Sequence, residues 1–321
     1  MTKYYDIFNG DADGICALHQ LRLSTPRDAE LITGVKRDIH LLERAVLHAA
    51  KKGSELTVLD ISMKTNATAL TALLKGGAKV QYFDHHQAGD IPRHKGLMAH
   101  IDTASDVCTS LIVDRHLKGQ WRLWAVVAAF GDNLVAPAIR AAQEFDLDHT
   151  VLARLHELGD CINYNAYGDT TDDLHYHPAD LYEAISRYTD PRDFMIDEPV
   201  FDVLKAAYRE DLEQAMQHAP ESESGNAAVF VLPNVAWARR VNGLLGNRLA
   251  QEHPRRAHAV LVTRANDYVV SVRAPITNPK GAAALCSKFP TGGGREGAAG
   301  INQLPTASLG AFVDAFRKAY P

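Results

Sequence analysis

Leu56-Thr57-Val58-Leu59-Asp60-Ile61 is an apolar run broken by a single carboxylate, and its reading decides the fold. It has the length and composition of a buried strand. A helical stretch, Ala67–Leu74, follows it and stops at Gly76-Gly77, after which Lys79–Phe83 reads as another strand. Upstream, Tyr4–Phe8 reads as a short buried strand, followed by a Gly/Asp turn and a helix from about Ile15 to Leu23. Leu31–Thr33 is a weaker strand, Ile39–Ala49 has helical spacing, and Leu97–Ile101 is a further strand candidate. Strands alternating with helices predict a parallel sheet covered on both faces. In such sheets functional groups collect at the carboxyl ends of the strands.

From Asp106 to about Gln217 the pattern is mainly helical, with Val107–His116 and Leu123–Phe130 the clearest pieces. His218–Asn226 is polar and holds Pro, Ser and Gly, so it reads as a linker. Beyond it, strands are expected at Ala227–Leu232, Ala257–Thr263 and Tyr268–Val272, and helices at Leu244–Glu252, Ala282–Phe289 and Leu309–Tyr320. The expected organisation is α/β throughout: a parallel-sheet domain with a helical extension (1–217), a linker (218–226) and a smaller α/β domain (227–321). The chain has 321 residues, which suits two domains.

The apolar fraction of 46% and charged fraction of 23% are those of an ordinary globular protein. A net charge of -5 with no long basic run argues against a non-specific grip on long nucleic acid. Cys16, Cys108, Cys161 and Cys286 are scattered without a C-x-x-C pair, which excludes a zinc knuckle and fits a reducing compartment. No stretch resembles a signal peptide or a membrane span, so a cytoplasmic location is expected.

Four carboxylate or imidazole sites stand out. In Asn9-Gly10-Asp11-Ala12-Asp13-Gly14, two aspartates at alternate spacing follow a strand; the plain alternative is that they cap the next helix. Asp60 ends a buried strand, where a carboxylate is costly unless paired, capping or metal-bound. Asp84-His85-His86 ends another strand in three groups that bind metals or move protons. Asp132 follows an apolar helix, where a C-terminal turn is the alternative. Several unneutralised carboxylates in one crevice would repel one another, and divalent cations remove that conflict.

In this order the residues resemble the motifs of the DHH phosphoesterase superfamily: Asp11-Ala12-Asp13-Gly14, Asp60, Asp84-His85-His86 and Asp132. The resemblance implies that Asp11, Asp13, Asp60, His85 and Asp132 are ligands of two metal ions. It also implies that His86 faces the scissile phosphate and that Asp84 supports it. Where many members carry a His or Asp upstream, this chain has Asn9, whose neutral amide oxygen is a weaker ligand for a hard cation. Ser271-Val272-Arg273 and Thr291-Gly292-Gly293-Gly294-Arg295 resemble the DHH-associated C-terminal domain, which implies substrate contacts from Arg273, Arg295 and a triple-glycine loop. Many members place a His where Arg295 stands.

The resemblance implies a phosphodiesterase acting on short oligonucleotides or on cyclic or linear dinucleotides. The alternative is a phosphomonoesterase or phosphoanhydride hydrolase, and a third reading is a degenerate nucleotide-binding regulator. The Asp/His ligand set favours two Mn2+ ions, with Mg2+ or Co2+ as substitutes. Expected partners are a small phosphorylated substrate or short single-stranded nucleic acid and no membrane; the resemblance also allows a homodimer. In the polar, aromatic stretch Gly159–Asp193, Tyr164 and Tyr167 are candidates to stack on a base. His175 and His177 read as surface-loop residues, and Lys36-Arg37 as a solvated basic pair opening a helix. Trp121 and Trp124 read as core or interface.

Overall fold

The computed structural model describes residues 2–49 and 53–321. The chain divides into two compact units, Met1–Ala206 and Ala207–Pro321. The first unit begins β1 (Tyr4–Phe8), α1 (Ala12–Ser24), β2 (Glu30–Ile32), α2 (Leu41–Ala49), β3 (Glu55–Leu59), α3 (Ala67–Lys75), β4 (Lys79–Asp84) and β5 (Leu97–Ile101). These strands form one sheet in the order β2-β1-β3-β4-β5, parallel throughout. The registers Ile7↔Val58 and Leu59↔Phe83 align the apolar runs found in the sequence.

Strand alternation assigns the two faces. Tyr5, Ile7, Leu56, Val58, Val80 and Tyr82 pack on one face with Leu41 and Leu42 of α2 and Leu70, Leu73 and Leu74 of α3. Asp6 and Thr57 lie on the other face, where Arg22 in the last turn of α1 binds both side chains. α1 is buried from Ala12 through Leu21 on every side rather than along one stripe, and its polar residues Asp13, His19 and Gln20 are hydrogen-bonded there.

The helical part comprises α4 (Thr109–His116), α5 (Arg122–Gly131), α6 (Val135–Ala142), α7 (His149–Asn165), α8 (Pro178–Ile185), α9 (Pro191–Asp197) and α10 (Pro199–Met216). Helix α5 packs against α1 and α7 at very short range. A Cβ on Gly131 would stand 2.6 Å from Ala12 Cβ and 2.8 Å from the Gly159 carbonyl oxygen, so only glycine fits. That contact holds the end of α5 beside the turn that carries Asp11 and Asp13.

The second unit contains β6 (Ser222–Glu223), β7 (Ala227–Leu232), α11 (Ala236–Glu252), β8 (Ala257–Thr263), β9 (Asp267–Arg273), α12 (Ala282–Cys286), β10 (Gly292–Gly294), β11 (Ala298–Pro305) and α13 (Leu309–Ala319). Its sheet has the order β10-β11-β9-β8-β7-β6, with β7 and β8 parallel and the remaining pairs antiparallel. Val229, Leu261, Val270, Val272, Ile301, Phe312 and Phe316 are among its core residues. The stretch 218–226, read from sequence as a linker, carries β6 and so contributes to this sheet. The protein is thus a two-domain α/β molecule. Among the described residues, no helix is long and apolar enough to cross a membrane.

Candidate metal centre

In the first sheet the chain leaves β1 for β2 on one side and returns to β3 on the other. The crevice at the carboxyl ends of β1 and β3 is therefore a topological switch point, where α/β sheets place their ligands. Asp11 follows β1, Asp60 follows β3, and Asp84-His85-His86 closes β4.

Asp60 adopts a left-handed backbone with φ 58°, a strain of roughly 1 kcal/mol or more for a non-glycine residue. Its Oδ1 accepts from Thr109 Oγ1 at 3.1 Å and lies 3.4 Å from His85 Nε2. Burial, reinforced by the charges of Asp13, Asp11, Asp132 and Asp84, pushes Asp60 well above the usual carboxylate range. It does not cap the following helix, whose N-cap residue is Asn66.

Asp13 accepts from the backbone N–H groups of Thr109 and Ser110, one to each oxygen, both at 2.7 Å. Those groups open α4, so the carboxylate sits on the positive end of a helix. Asp132 ends α5, and its neighbour Asn133 takes the left-handed conformation with φ 60°. The bonds Asn133 N–H to Phe130 O and Leu134 N–H to Ala129 O close a Schellman motif, so the helix-ending turn foreseen for Gly131-Asp132-Asn133 is present and also aims a carboxylate into the crevice. Burial raises the Asp132 pKa; Lys36 opposes the shift, but Asp13 and Asp11 help keep it raised.

His85 Nδ1 lies 3.0 Å from the Val107 carbonyl oxygen, which can only accept, so Nδ1 carries the proton. Nε2, the ring nitrogen left to meet a cation, faces Asp60 at 3.4 Å and Asp132 at 3.9 Å. His86 Nδ1 donates to Asp84 Oδ1 at 2.7 Å. Burial lowers the His86 pKa, but the hydrogen bond and charge of Asp84 more than reverse this, so it is raised. Asp84 is fully buried, and its Oδ2 has no hydrogen-bond partner among the described residues.

Among the described residues, two groups of three place ligand atoms within 4.8 Å of one another: Asp60, His85 and His86, and Asp13, His85 and Asp132. Oxygen and imidazole donors of this kind suit a divalent cation. The unpartnered Asp84 oxygen and the raised pKa of Asp60 are the marks of a carboxylate cluster short of positive charge, so the residues fit a metal.

Two expected ligands are differently engaged. Asp11 is the N-cap of α1: its Oδ1 accepts from the N–H groups of Asp13 and Gly14, both at 3.1 Å, and its Oδ2 lies 2.5 Å from Lys36 Nζ. Burial pushes Asp11 up, yet the Lys36 charge outweighs it and leaves the carboxyl below its ordinary value. The Asn9 amide is taken by backbone on both sides, Oδ1 accepting from Asp11 N–H at 3.3 Å and Nδ2 donating to Lys36 O at 3.3 Å. Lys36 is a correction to the sequence reading: it is an ion-paired member of the site, not a solvated residue. Thr109 and Ser110 were missed, whereas Asn163 lies in the stretch whose amide and aromatic groups were candidates to line the cleft; for Lys36 the usable signal was its place just after a strand.

Tyr164 is fully buried and its hydroxyl bonds His175 Nε2 at 2.9 Å, so it is a core residue and not a base-stacking platform. Trp124 is also core.

In the second unit, the Arg273 fork is turned onto its own fold, with Nε donating to Asn247 Oδ1 at 2.6 Å, Nη1 to Ser271 Oγ at 2.9 Å and Nη2 to Gly243 O at 3.2 Å. The triple glycine is an edge strand instead of the expected open loop. Gly292, Gly293 and Gly294 pair with Ile301, Gly300 and Ala299 of β11. Packing explains two of the three glycines: a Cβ on Gly292 would stand 1.9 Å from the Cys286 carbonyl oxygen, and one on Gly294 would stand 2.5 Å from Ala299 Cα, whereas Gly293 faces open space. Arg295 lies exposed in the turn that joins β10 to β11.

No protein-family model and no curated protein matches the sequence. Solved structures do match over nearly its whole length. A DHH-domain protein described as a member of a family of ribosomal proteins aligns with a TM-score of 0.66 at 14% identity, covering 99% of this chain and 86% of that one. A manganese-bound exonuclease RecJ aligns with a TM-score of 0.62 at 17% identity, covering 99% and 91%. A pGpG-specific phosphodiesterase from Vibrio cholerae aligns with a TM-score of 0.52 at 13% identity, covering 99% of each chain. The fold of this chain is therefore that of the DHH-domain structures it matches.

Proposed function

We propose that the chain is a metal-dependent phosphoester hydrolase whose centre is held by Asp13, Asp60, His85 and Asp132. The observation that carries this reading is the position of His85 Nε2, presented between two buried or half-buried carboxylates at the switch point. A bound divalent cation, for which manganese suits the ligand set best, would neutralise charge on phosphoryl oxygens and activate water. The protein's own groups do the rest. Val107 fixes the His85 tautomer, and α4 and Thr109 hold Asp13 and Asp60. Asp84 keeps His86 oriented and favours its protonated form, so the imidazole, 45% exposed at its side chain, can donate to a phosphoryl oxygen. Arg273 and Arg295 are kept as candidate substrate contacts.

The finer reading is a phosphodiesterase for short oligonucleotides or for linear or cyclic dinucleotides; structural neighbours described as an exonuclease and a pGpG-specific phosphodiesterase support it. Burial of Tyr164 favours a second reading, a phosphomonoesterase or phosphoanhydride hydrolase, because it removes one expected base platform. A panel of a dinucleotide, a cyclic dinucleotide, a 3',5'-bisphosphate, pyrophosphate and a single-stranded oligomer, run with Mn2+ on wild type and Asp132→Ala, tests both. Turnover of a diester that Asp132→Ala abolishes is the expected result. Turnover of monoester or anhydride alone selects the second reading, and no turnover of any member with retained nucleotide binding selects a regulator.

A further inference from the structure

Lys36 does not reach its carboxylates by accident of a long side chain. Its backbone is fixed first: its N–H donates to Ala166 O at 2.9 Å at the end of α7, and its carbonyl accepts from Asn9 Nδ2. The ammonium is then held from the far side, donating to Asn163 Oδ1 at 3.1 Å. Asn163 is itself set by donating from Nδ2 to the Tyr167 hydroxyl at 2.9 Å, and the Tyr167 ring centroid lies 6.0 Å from Lys36 Nζ. Toward the crevice, the same nitrogen is 2.5 Å from Asp11 Oδ2 and 3.5 Å from Asp132 Oδ1. The geometry is a built ammonium seat, with amide, carboxylate and aromatic walls.

The two ligand groups of three both depend on His85. With Nδ1 donating to Val107, that side chain has one lone pair left, and one nitrogen lone pair binds one ion. Asp11 belongs to neither group, and both its oxygens are already engaged, by the start of α1 and by Lys36.

We infer that Lys36 is a resident cation that takes the Asp11 side of the centre, so that the protein holds one divalent ion per chain, at His85, in place of the pair expected from sequence. This rests on the metal-dependent reading above. The ammonium supplies a single positive charge there without exchanging with solvent ions, and it approaches Asp132 at Oδ1, the oxygen other than the one nearest His85.

The test counts ions and does not depend on turnover. Metal-stripped protein is titrated with Mn2+ and bound manganese is measured per chain. Its electron paramagnetic resonance spectrum distinguishes an isolated ion from an exchange-coupled pair. One ion with an isolated-ion spectrum in the wild type, together with a second ion in Lys36→Met but not in Lys36→Arg, is the expected result. Two coupled ions in the wild type overturn the inference and leave the metal-dependent reading standing. No bound ion overturns that reading as well. Lys36→Met still limited to one ion shows that the ammonium is not what excludes the second. Should Lys36→Met fail to fold, the wild-type count and spectrum decide alone.

Discussion

In the five-stranded sheet every strand runs the same way, so the carboxyl ends of β1, β3 and β4 deliver Asp11, Asp60 and Asp84-His85-His86 to one rim. In the six-stranded sheet only β7 and β8 run parallel, and Arg273 and the triple glycine, expected to bind substrate, are tied into the unit's own bonding. Parallel topology concentrates strand ends, and with them charge that must be neutralised. Antiparallel topology alternates them and leaves no such surplus.

The sharpest way to break this contrast is a pair of alanines. His85→Ala should remove bound manganese and lower phosphoester hydrolysis about a thousandfold or more, as expected when several kcal/mol of charge stabilisation is lost. Arg273→Ala should leave manganese content unchanged and act on KM, by about tenfold for one charge-assisted contact. Loss of metal from the arginine variant would contradict the division of labour, as would hydrolysis surviving in the histidine variant.

Smaller effects follow from the two glycine contacts. Gly131→Ala and Gly292→Ala should each cost about 1–3 kcal/mol through overpacking. Thermal melts would show both losses, yet only Gly131→Ala should weaken manganese binding, because it displaces the end of α5 next to Asp132. Equal metal affinity in the two variants would mean that the α1–α5 contact does not set the centre.

A further effect, seen only as pH falls, is shared by both units. Burial lowers His19 to about 4 despite its contact with the Tyr188 carbonyl, and burial with the nearby Arg256 and His253 lowers His258 to about 4. The unfolded chain, at the ordinary 6.5, takes up these protons first as pH falls. Both contributions are therefore intact above 6.5 and are lost progressively on the way to 4. Hydrogen exchange read on each unit should show this decline, and His19→Gln should flatten it in the first unit and His258→Gln in the second. An unchanged slope in either variant would remove that histidine from the account.

Much of the first unit was legible because its strands are short apolar runs ending in carboxylates, a signal local enough to read by eye. The rest depends on contacts remote in sequence. Asp13 is held by residues 96 and 97 positions away, and Lys36 finds Asn163 across 127. No spacing rule anticipates such partners. In the second unit, Gly292–Gly294 has little strand propensity, so its pairing with Ala298–Pro305 could be found only through the close approach that small residues permit on both sides. The polar run holding Ser222–Glu223 was misread for the same reason, since a two-residue edge strand has no period.

Asp13 shares its carboxylate between the crevice and the first amides of α4, and this changes how damage at that position should be interpreted. Removing it would take away a proposed ligand and undo the start of a helix at one stroke. A dead variant there says little about coordination, whereas Asp132, which only terminates its helix through the backbone, can be emptied of charge with its scaffold left in place.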